Sequence, residues 1–124
     1  MSKILVVEDS LAQRQMISDL LRDSGLNIQF ACDGVEALEN IQHYSPDLVI
    51  MDIVMPRMNG YELCRHIKSD PKTKSIPVVM CSSKGEEFDR YWGMKQGADA
   101  YIAKPFQPLE LIGTIEKLLS VQPS

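Results

Sequence analysis

Five side chains have the types that phosphoryl transfer requires. Glu8 and Asp9 follow one short apolar run, and Asp52, Ser82 and Lys104 lie at the ends of three others. Three carboxylates close together must be partly protonated or hold a cation among them, since two unit charges 4 Å apart cost about 4 kcal/mol at an effective dielectric of 20. Oxygen ligands without histidine or thiolate favour Mg2+, and a lysine suits phosphate. The set predicts phosphoryl transfer to an aspartate.

The elements that must position these side chains alternate strictly between strand and helix. Strands are predicted over 3–7, 27–31, 47–51, 76–81 and 100–103. Helices are predicted between Ser10 and Gly25, from Gly34 to Ser45, and over 59–68, 86–96 and 108–119. Such alternation predicts a doubly wound α/β domain with a five-stranded parallel sheet and five helices. The site is then expected at the carboxyl ends of the central strands.

Composition excludes several classes of protein. The 124 residues include 13 basic and 17 acidic side chains, so the net charge of −4 repels phosphate backbones and argues against nucleic-acid binding. The longest apolar runs are too short to span a bilayer, and the N-terminus does not have the pattern of a signal peptide. Cys32, Cys64 and Cys81 are odd in number and form no C-x-x-C pair, as in a reduced cytoplasmic protein.

Four ordered motifs carry a family resemblance that covers the whole chain. The segments VVEDS, DLVIMDIVMPRMNGYEL, IPVVMCSS and GADAYIAKPF are similar to those of the receiver domain of bacterial response regulators. The resemblance implies a flavodoxin-like sheet with strand order 2-1-3-4-5. It also implies that Asp52 accepts a phosphoryl group from a sensor histidine kinase. Mg2+ would be held by Glu8, Asp9, Asp52 and the backbone carbonyl of Val54.

The resemblance also assigns the residues that sense the phosphoryl group. Ser82, Ser83 and Lys104 would bind it, with Ser82 as the switch hydroxyl, and Tyr101 would be the aromatic side chain that turns inward on activation. The Lys104–Pro105 bond is expected to be cis, an isomer that proline makes much less costly. The face expected to contact partners comprises Tyr91, Trp92, Lys95, Tyr101 and Phe106.

Two departures from the family pattern concern the site. Glu8 stands where many relatives have Asp, and its extra methylene still lets it reach the metal through a water. Val54 offers no polar side chain two residues after the acceptor, where the family tunes hydrolysis of the acyl phosphate. Hydrolysis slower than in relatives with an amide there is expected.

The resemblance implies a single receiver over 1–124 without an output domain, expected to be a monomer. It would not be a turnover enzyme, and would act on a downstream protein target by a shift of populations. The segment YWGMKQGADAYIAKPF is similar to small regulators of type IV pilus motility. Alternatives are a docking module that needs no phosphorylation, a phosphate sink for a shared kinase, or a fragment of a longer regulator.

Three other functions are disfavoured by the same residues. A flavodoxin-like cofactor binder needs a phosphate-holding loop after the first strand, where this chain has EDSLAQ. An aspartate-nucleophile phosphatase needs a second Asp at the position of Val54. A nucleotidase or GTPase needs the motif G-x-x-x-x-G-K-[ST], which the sequence lacks.

Overall fold

The computed structural model describes residues 2–120. Its sheet has five parallel strands in the order β2-β1-β3-β4-β5, which confirms the predicted topology. The strands are β1 (Lys3–Val7), β2 (Asn27–Ala31), β3 (Leu48–Met51), β4 (Val78–Ser82) and β5 (Ala100–Ala103). The helices are α1 (Leu11–Leu21), α2 (Gly34–Tyr44), α3 (Gly60–Ser69), α4 (Glu87–Lys95) and α5 (Pro108–Ser120).

Side-chain caps fix the start of the first three helices. The hydroxyl of Ser10 accepts a hydrogen bond from the backbone N–H of Gln13 at 3.3 Å. Asp33 and Asn59 cap α2 and α3 in the same way, with distances of 2.9 Å to the N–H groups of the third residue beyond each cap. Each cap satisfies a backbone donor that the helix itself leaves without a partner.

Two element boundaries differ from the sequence prediction by two residues or more. Strand β4 begins at Val78 instead of Ile76, because the N–H of Ile76 donates to the carbonyl of Thr73 in a turn and Pro77 has no N–H to offer. Helix α1 ends at Leu21, four residues before the predicted stop at Gly25, which has a φ of +80°.

The core lies in two layers, one on each side of the sheet. Strand β1 shows the division, because Leu5 and Val7 pack with α2 and α3, whereas Ile4 and Val6 pack with α1 and α5. Strands β3 and β4 are buried along their whole length, as expected for the middle of a parallel sheet. Among residues 2–120, no helix has the length and hydropathy needed to cross a membrane.

Candidate functional site

Strand register places two of the predicted carboxylates side by side. Val7, the last residue of β1, pairs with Met51, the last residue of β3. Glu8 follows Val7 and Asp52 follows Met51 in the sequence. The N–H of Asp52 continues the ladder by donating to the carbonyl of Val7 at 3.2 Å. Two side chains separated by 44 residues therefore share one end of the sheet.

Lys104 enters the same site from the end of β5. Its N–H donates to the carbonyl of Ser82 at 2.8 Å, which fixes the start of the β5–α5 loop. Its Nζ lies 2.8 Å from Glu8 Oε1 and 3.3 Å from Asp52 Oδ2. One ammonium group thus bridges the two carboxylates, and it reduces the repulsion between them.

The bridge to the two carboxylates raises the pKa of Lys104. Burial alone would lower the pKa of Lys104, but its hydrogen bond to Glu8 and the negative charges of Asp52 and Glu8 outweigh burial and raise the pKa. Glu8 is only 3% exposed, and its second carboxylate oxygen accepts the N–H of Ser10 at 3.3 Å. Lys104 therefore stays charged at neutral pH and is held beside the acceptor.

The candidate acceptor, Asp52, is oriented by its own loop. Its Oδ1 accepts the N–H of Ile53 at 2.6 Å, while Oδ2 faces Lys104. Gly60 packs directly behind it, since a Cβ there would clash with the backbone carbonyl oxygen of Asp52. A side chain at position 60 would displace the loop that carries the acceptor.

The third predicted carboxylate is arranged differently. Asp9 is exposed, and among residues 2–120 no group of three Asp, Glu, His or Cys side chains is placed to hold a metal ion. The tight three-carboxylate cluster imagined from the sequence is replaced by the Glu8–Lys104–Asp52 bridge. An all-oxygen donor set still fits Mg2+, which binds through one or two carboxylates and keeps waters and phosphate oxygens as its other ligands.

The predicted switch hydroxyl lies at the end of β4. Ser82 is fully buried, and its Oγ accepts the N–H of Lys84 at 3.2 Å, whereas Ser83 is exposed. The hydroxyl is thus held by the β4–α4 loop. A group that drew Ser82 away from this bond would release the loop at Lys84.

Tyr101 already points inward in this structure. It is 4% exposed, its hydroxyl donates to the carbonyl of Lys84, and burial raises its pKa to about 12. The Arg90 guanidinium lies 5.4 Å from the ring centroid, and its Nη1 donates to the Tyr101 carbonyl at 2.9 Å. Gly93 makes room for the ring, because a Cβ there would come within 2.9 Å of it. The predicted cis bond between Lys104 and Pro105 is present.

The predicted partner face is only partly exposed. Tyr91 is 57% and Trp92 43% exposed, whereas Tyr101 is buried and Phe106 half-buried. The Lys95 ammonium lies 5.7 Å from the Tyr91 ring centroid. Sequence reasoning missed Phe88, which is 70% exposed and stacks on Trp92 with 6.5 Å between ring centroids. Its spacing four residues before Trp92 was the available signal.

Comparison with known proteins agrees with this geometry. Residues 4–116 match the response regulator receiver domain. The chain belongs to this family. The receiver is 40% identical over 114 residues to Protein PilG of Pseudomonas aeruginosa, which covers 92% of this chain and 84% of that one.

Two other relatives of the receiver are a longer DNA-binding regulator and a chemotaxis regulator of similar length. It is 37% identical to the DNA-binding response regulator MtrA of Mycobacterium tuberculosis, covering 94% of this chain and 50% of MtrA, so it spans about half the length of that relative. Chemotaxis response regulator CheY4 of Vibrio cholerae superposes with a TM-score of 0.87 at 34% identity, covering 95% of this chain and 98% of that one.

One similar structure bears on the metal. The receiver domain of a Pseudomonas aeruginosa sensor histidine kinase superposes with a TM-score of 0.88 at 26% identity, covering 96% of this chain and 98% of that one. That domain has a magnesium ion coordinated in its active-site cleft. This receiver is a domain of two-component signalling, as its family match and these relatives indicate.

Proposed function

We propose that this receiver accepts a phosphoryl group on Asp52 from a sensor histidine kinase and passes the signal to a downstream protein. The observation that carries the proposal is the bridge from Lys104 Nζ to Glu8 and Asp52 at the carboxyl end of the sheet. A lysine that two carboxylates share, with its side chain 13% exposed, is a cation that can move to phosphoryl oxygens. Turnover of a separate substrate is not part of the proposal.

The reaction is an in-line displacement at phosphorus. A carboxylate oxygen of Asp52 forms the new P–O bond, the P–N bond of the kinase phosphohistidine breaks, and the electron pair leaves with the imidazole nitrogen. Lys104 Nζ then shifts from Asp52 to an oxygen of the transferred group. Glu8, Asp9, Asp52 and the carbonyl of Val54 would hold Mg2+, which supplies charge neutralisation at the phosphoryl oxygens when bound.

Signalling would follow from the bonds of the β4–α4 loop. If the Ser82 hydroxyl turns to the phosphoryl group, it gives up the N–H of Lys84, whose carbonyl anchors Tyr101. The loop and the Tyr101 ring are therefore coupled through one residue. The face that changes would comprise the side chains already described on α4 and after β5, namely Phe88, Tyr91, Trp92, Lys95 and Phe106.

The test is intact mass after incubation with acetyl phosphate, with and without Mg2+. One added phosphoryl group is expected for the wild-type chain with Mg2+, and none for Asp52→Asn. Lys104→Met should lower the yield, because the phosphoryl oxygens lose their lysine, while Asp19→Asn on α1 is the matched control and should be phosphorylated normally. An adduct that survives in Asp52→Asn would contradict the assignment of the acceptor.

A second candidate is a docking receiver that needs no phosphorylation, and the inward Tyr101 favours it. Equal binding of a downstream target by wild-type protein and Asp52→Asn, with and without acetyl phosphate, would support this alternative.

The likeness to PilG and to a chemotaxis regulator supports a place in pilus-dependent motility or taxis. Deletion in a motile host tests that place, and an Asp52→Asn strain that matches the deletion would separate a phosphorylated receiver from a docking module.

We further propose that the chain acts in the cytoplasm as a monomer. Three thiols without a disulfide among residues 2–120 support a reducing compartment. Sedimentation before and after phosphorylation tests the oligomeric state.

A further inference from the structure

Arg57 has an unusual backbone conformation in the loop that follows the acceptor. Its φ is +66°, in the left-handed region that a residue with a Cβ adopts at a cost and that glycine adopts freely. The residue lies in the 52–59 loop between β3 and α3, which also carries Val54. An arginine in this position must gain something that a glycine would not.

The gain is an ion pair with Asp33, at the start of α2. Arg57 Nε donates to Asp33 Oδ2 at 2.9 Å and Nη2 donates to Oδ1 at 3.0 Å. The Asp33 side chain is 9% exposed, and its Oδ1 also accepts the N–H of Glu36 as the α2 cap. The N–H of Glu36 and the guanidinium of Arg57 together hold the pKa of Asp33 below its usual range, although burial opposes them. Bidentate geometry distinguishes this pair from ordinary surface ion pairs, which contribute little.

The backbones of Gly34 and Met58 also approach each other closely beside the Arg57–Asp33 ion pair. A Cβ at Gly34 would lie 2.8 Å from Met58 Cβ and 3.0 Å from the Met58 carbonyl oxygen. At the far end of the loop, the N–H of Gly60 donates to the carbonyl of Ile53 at 2.8 Å. The loop is therefore fixed at both ends of the segment that contains Val54.

We propose that Arg57 and Asp33 form a clamp that positions the 52–59 loop, and with it the Val54 carbonyl, for Mg2+. The clamp acts through the loop backbone, so both are positioning residues. A backbone carbonyl can serve as a metal ligand only where its loop is held, and groups that orient metal ligands affect metal affinity strongly. The magnesium part of this inference rests on the proposed function.

Two variants remove the clamp with little other damage. Asp33→Asn loses the charge and keeps the helix cap, since Asn and Asp cap equally well. Arg57→Gly loses the guanidinium and relieves the positive φ. Asp19→Asn removes the exposed pair between Asp19 and Arg22 on α1 and is the matched control.

Amide hydrogen exchange without Mg2+ and calorimetric titration with Mg2+ give separate readouts. Each clamp variant should exchange faster at 53–58 and bind Mg2+ about tenfold more weakly, the lower end of the loss expected when a ligand-orienting group is removed. The double variant should bind as weakly as Arg57→Gly alone, because both changes break one interaction. Asp19→Asn should match wild type in both.

Each result decides a distinct claim. Unchanged exchange at 53–58 in both variants would overturn the clamp, whatever happens to the metal. Faster exchange with unchanged Mg2+ affinity, or additive losses in the double variant, would overturn the positioning role. A wild-type chain that takes up no Mg2+ would overturn the magnesium part together with the proposed metal site, while exchange would still decide whether Arg57 and Asp33 hold the loop.

Discussion

The inward position of Tyr101 depends on a glycine in the last turn of α4, and Gly93→Ala tests this dependence. A Cβ at position 93 would lie 2.8 Å from Met80 Sδ and 2.9 Å from Tyr101 Cδ2, both closer than side-chain carbons normally approach. Met80 is fully buried and cannot turn out to solvent. The added methyl group must therefore displace the Tyr101 ring, the Met80 side chain or the helix itself.

The expected free energy combines two opposing effects. Alanine is favoured over glycine in a helix interior by about 1 kcal/mol, whereas overpacking a well-filled core costs about 1–3 kcal/mol. Gly93→Ala should then lower the free energy of unfolding by about 0–2 kcal/mol. Urea denaturation followed by circular dichroism measures the change as a shift of the midpoint at unchanged slope.

Gly113 in α5 provides the control, because no atom lies within 4 Å of a Cβ built there. Gly113→Ala should raise the free energy of unfolding by about 0.5–1 kcal/mol through helix propensity alone. The loss of unfolding free energy caused by Gly93→Ala should be smaller in a Tyr101→Ala background, where the added methyl group clashes only with Met80. Equal stabilisation by Gly93→Ala and Gly113→Ala would refute the reasoning and would place the Tyr101 ring away from Gly93.

Three further predictions concern the site and the thiols. Val54→Asn should shorten the lifetime of the acyl phosphate about fivefold, since one hydrogen bond to the attacking water is worth about 1 kcal/mol; an unchanged or longer lifetime by intact mass would be evidence against this role. In native protein a thiol reagent at pH 8 should modify only Cys32, because burial raises the pKa of Cys64 to about 11 and of Cys81 to about 12, and all three should react once the chain is unfolded. For the same reason the free energy of unfolding should be constant up to about pH 9 and then fall by about 1.4 kcal/mol per pH unit for each buried thiol. The fall occurs because the unfolded chain loses these thiol protons at lower pH than the folded chain does. A urea midpoint that stays constant from pH 9 to 10.5 would contradict this prediction.

Local sequence signals were sufficient for the elements and for the composition of the site. Buried strands are short β-branched runs, and caps such as Asp33 precede the helices, so each pattern is contained within a few neighbouring residues. The predicted start of β4 was wrong, because a local turn at Ile76 and the missing N–H of Pro77 delay the strand to Val78. The N–H of Val78 pairs with the side chain of Asp99, 21 residues away, at the point where β4 begins.

The arrangement of the site needed contacts that sequence does not encode locally. Lys104 reaches Glu8 across 96 residues and Asp52 across 52, and only the register of four strands brings them within hydrogen-bond distance. The convergence of the strand ends suggested a cluster of three carboxylates whose mutual repulsion a cation would relieve. In the folded chain the lysine lies between two of them, and the third is exposed.

The sequence by itself determined the alternation of strands and helices, and therefore which residue types meet at the carboxyl end of the sheet. Topology makes that meeting unavoidable, because parallel strands all end at one edge. Only the tertiary structure decided that Tyr101 lies inward and that Arg57 reaches Asp33. Each of these side chains has several rotamers of similar local energy, and the choice among them depends on packing partners distant in sequence.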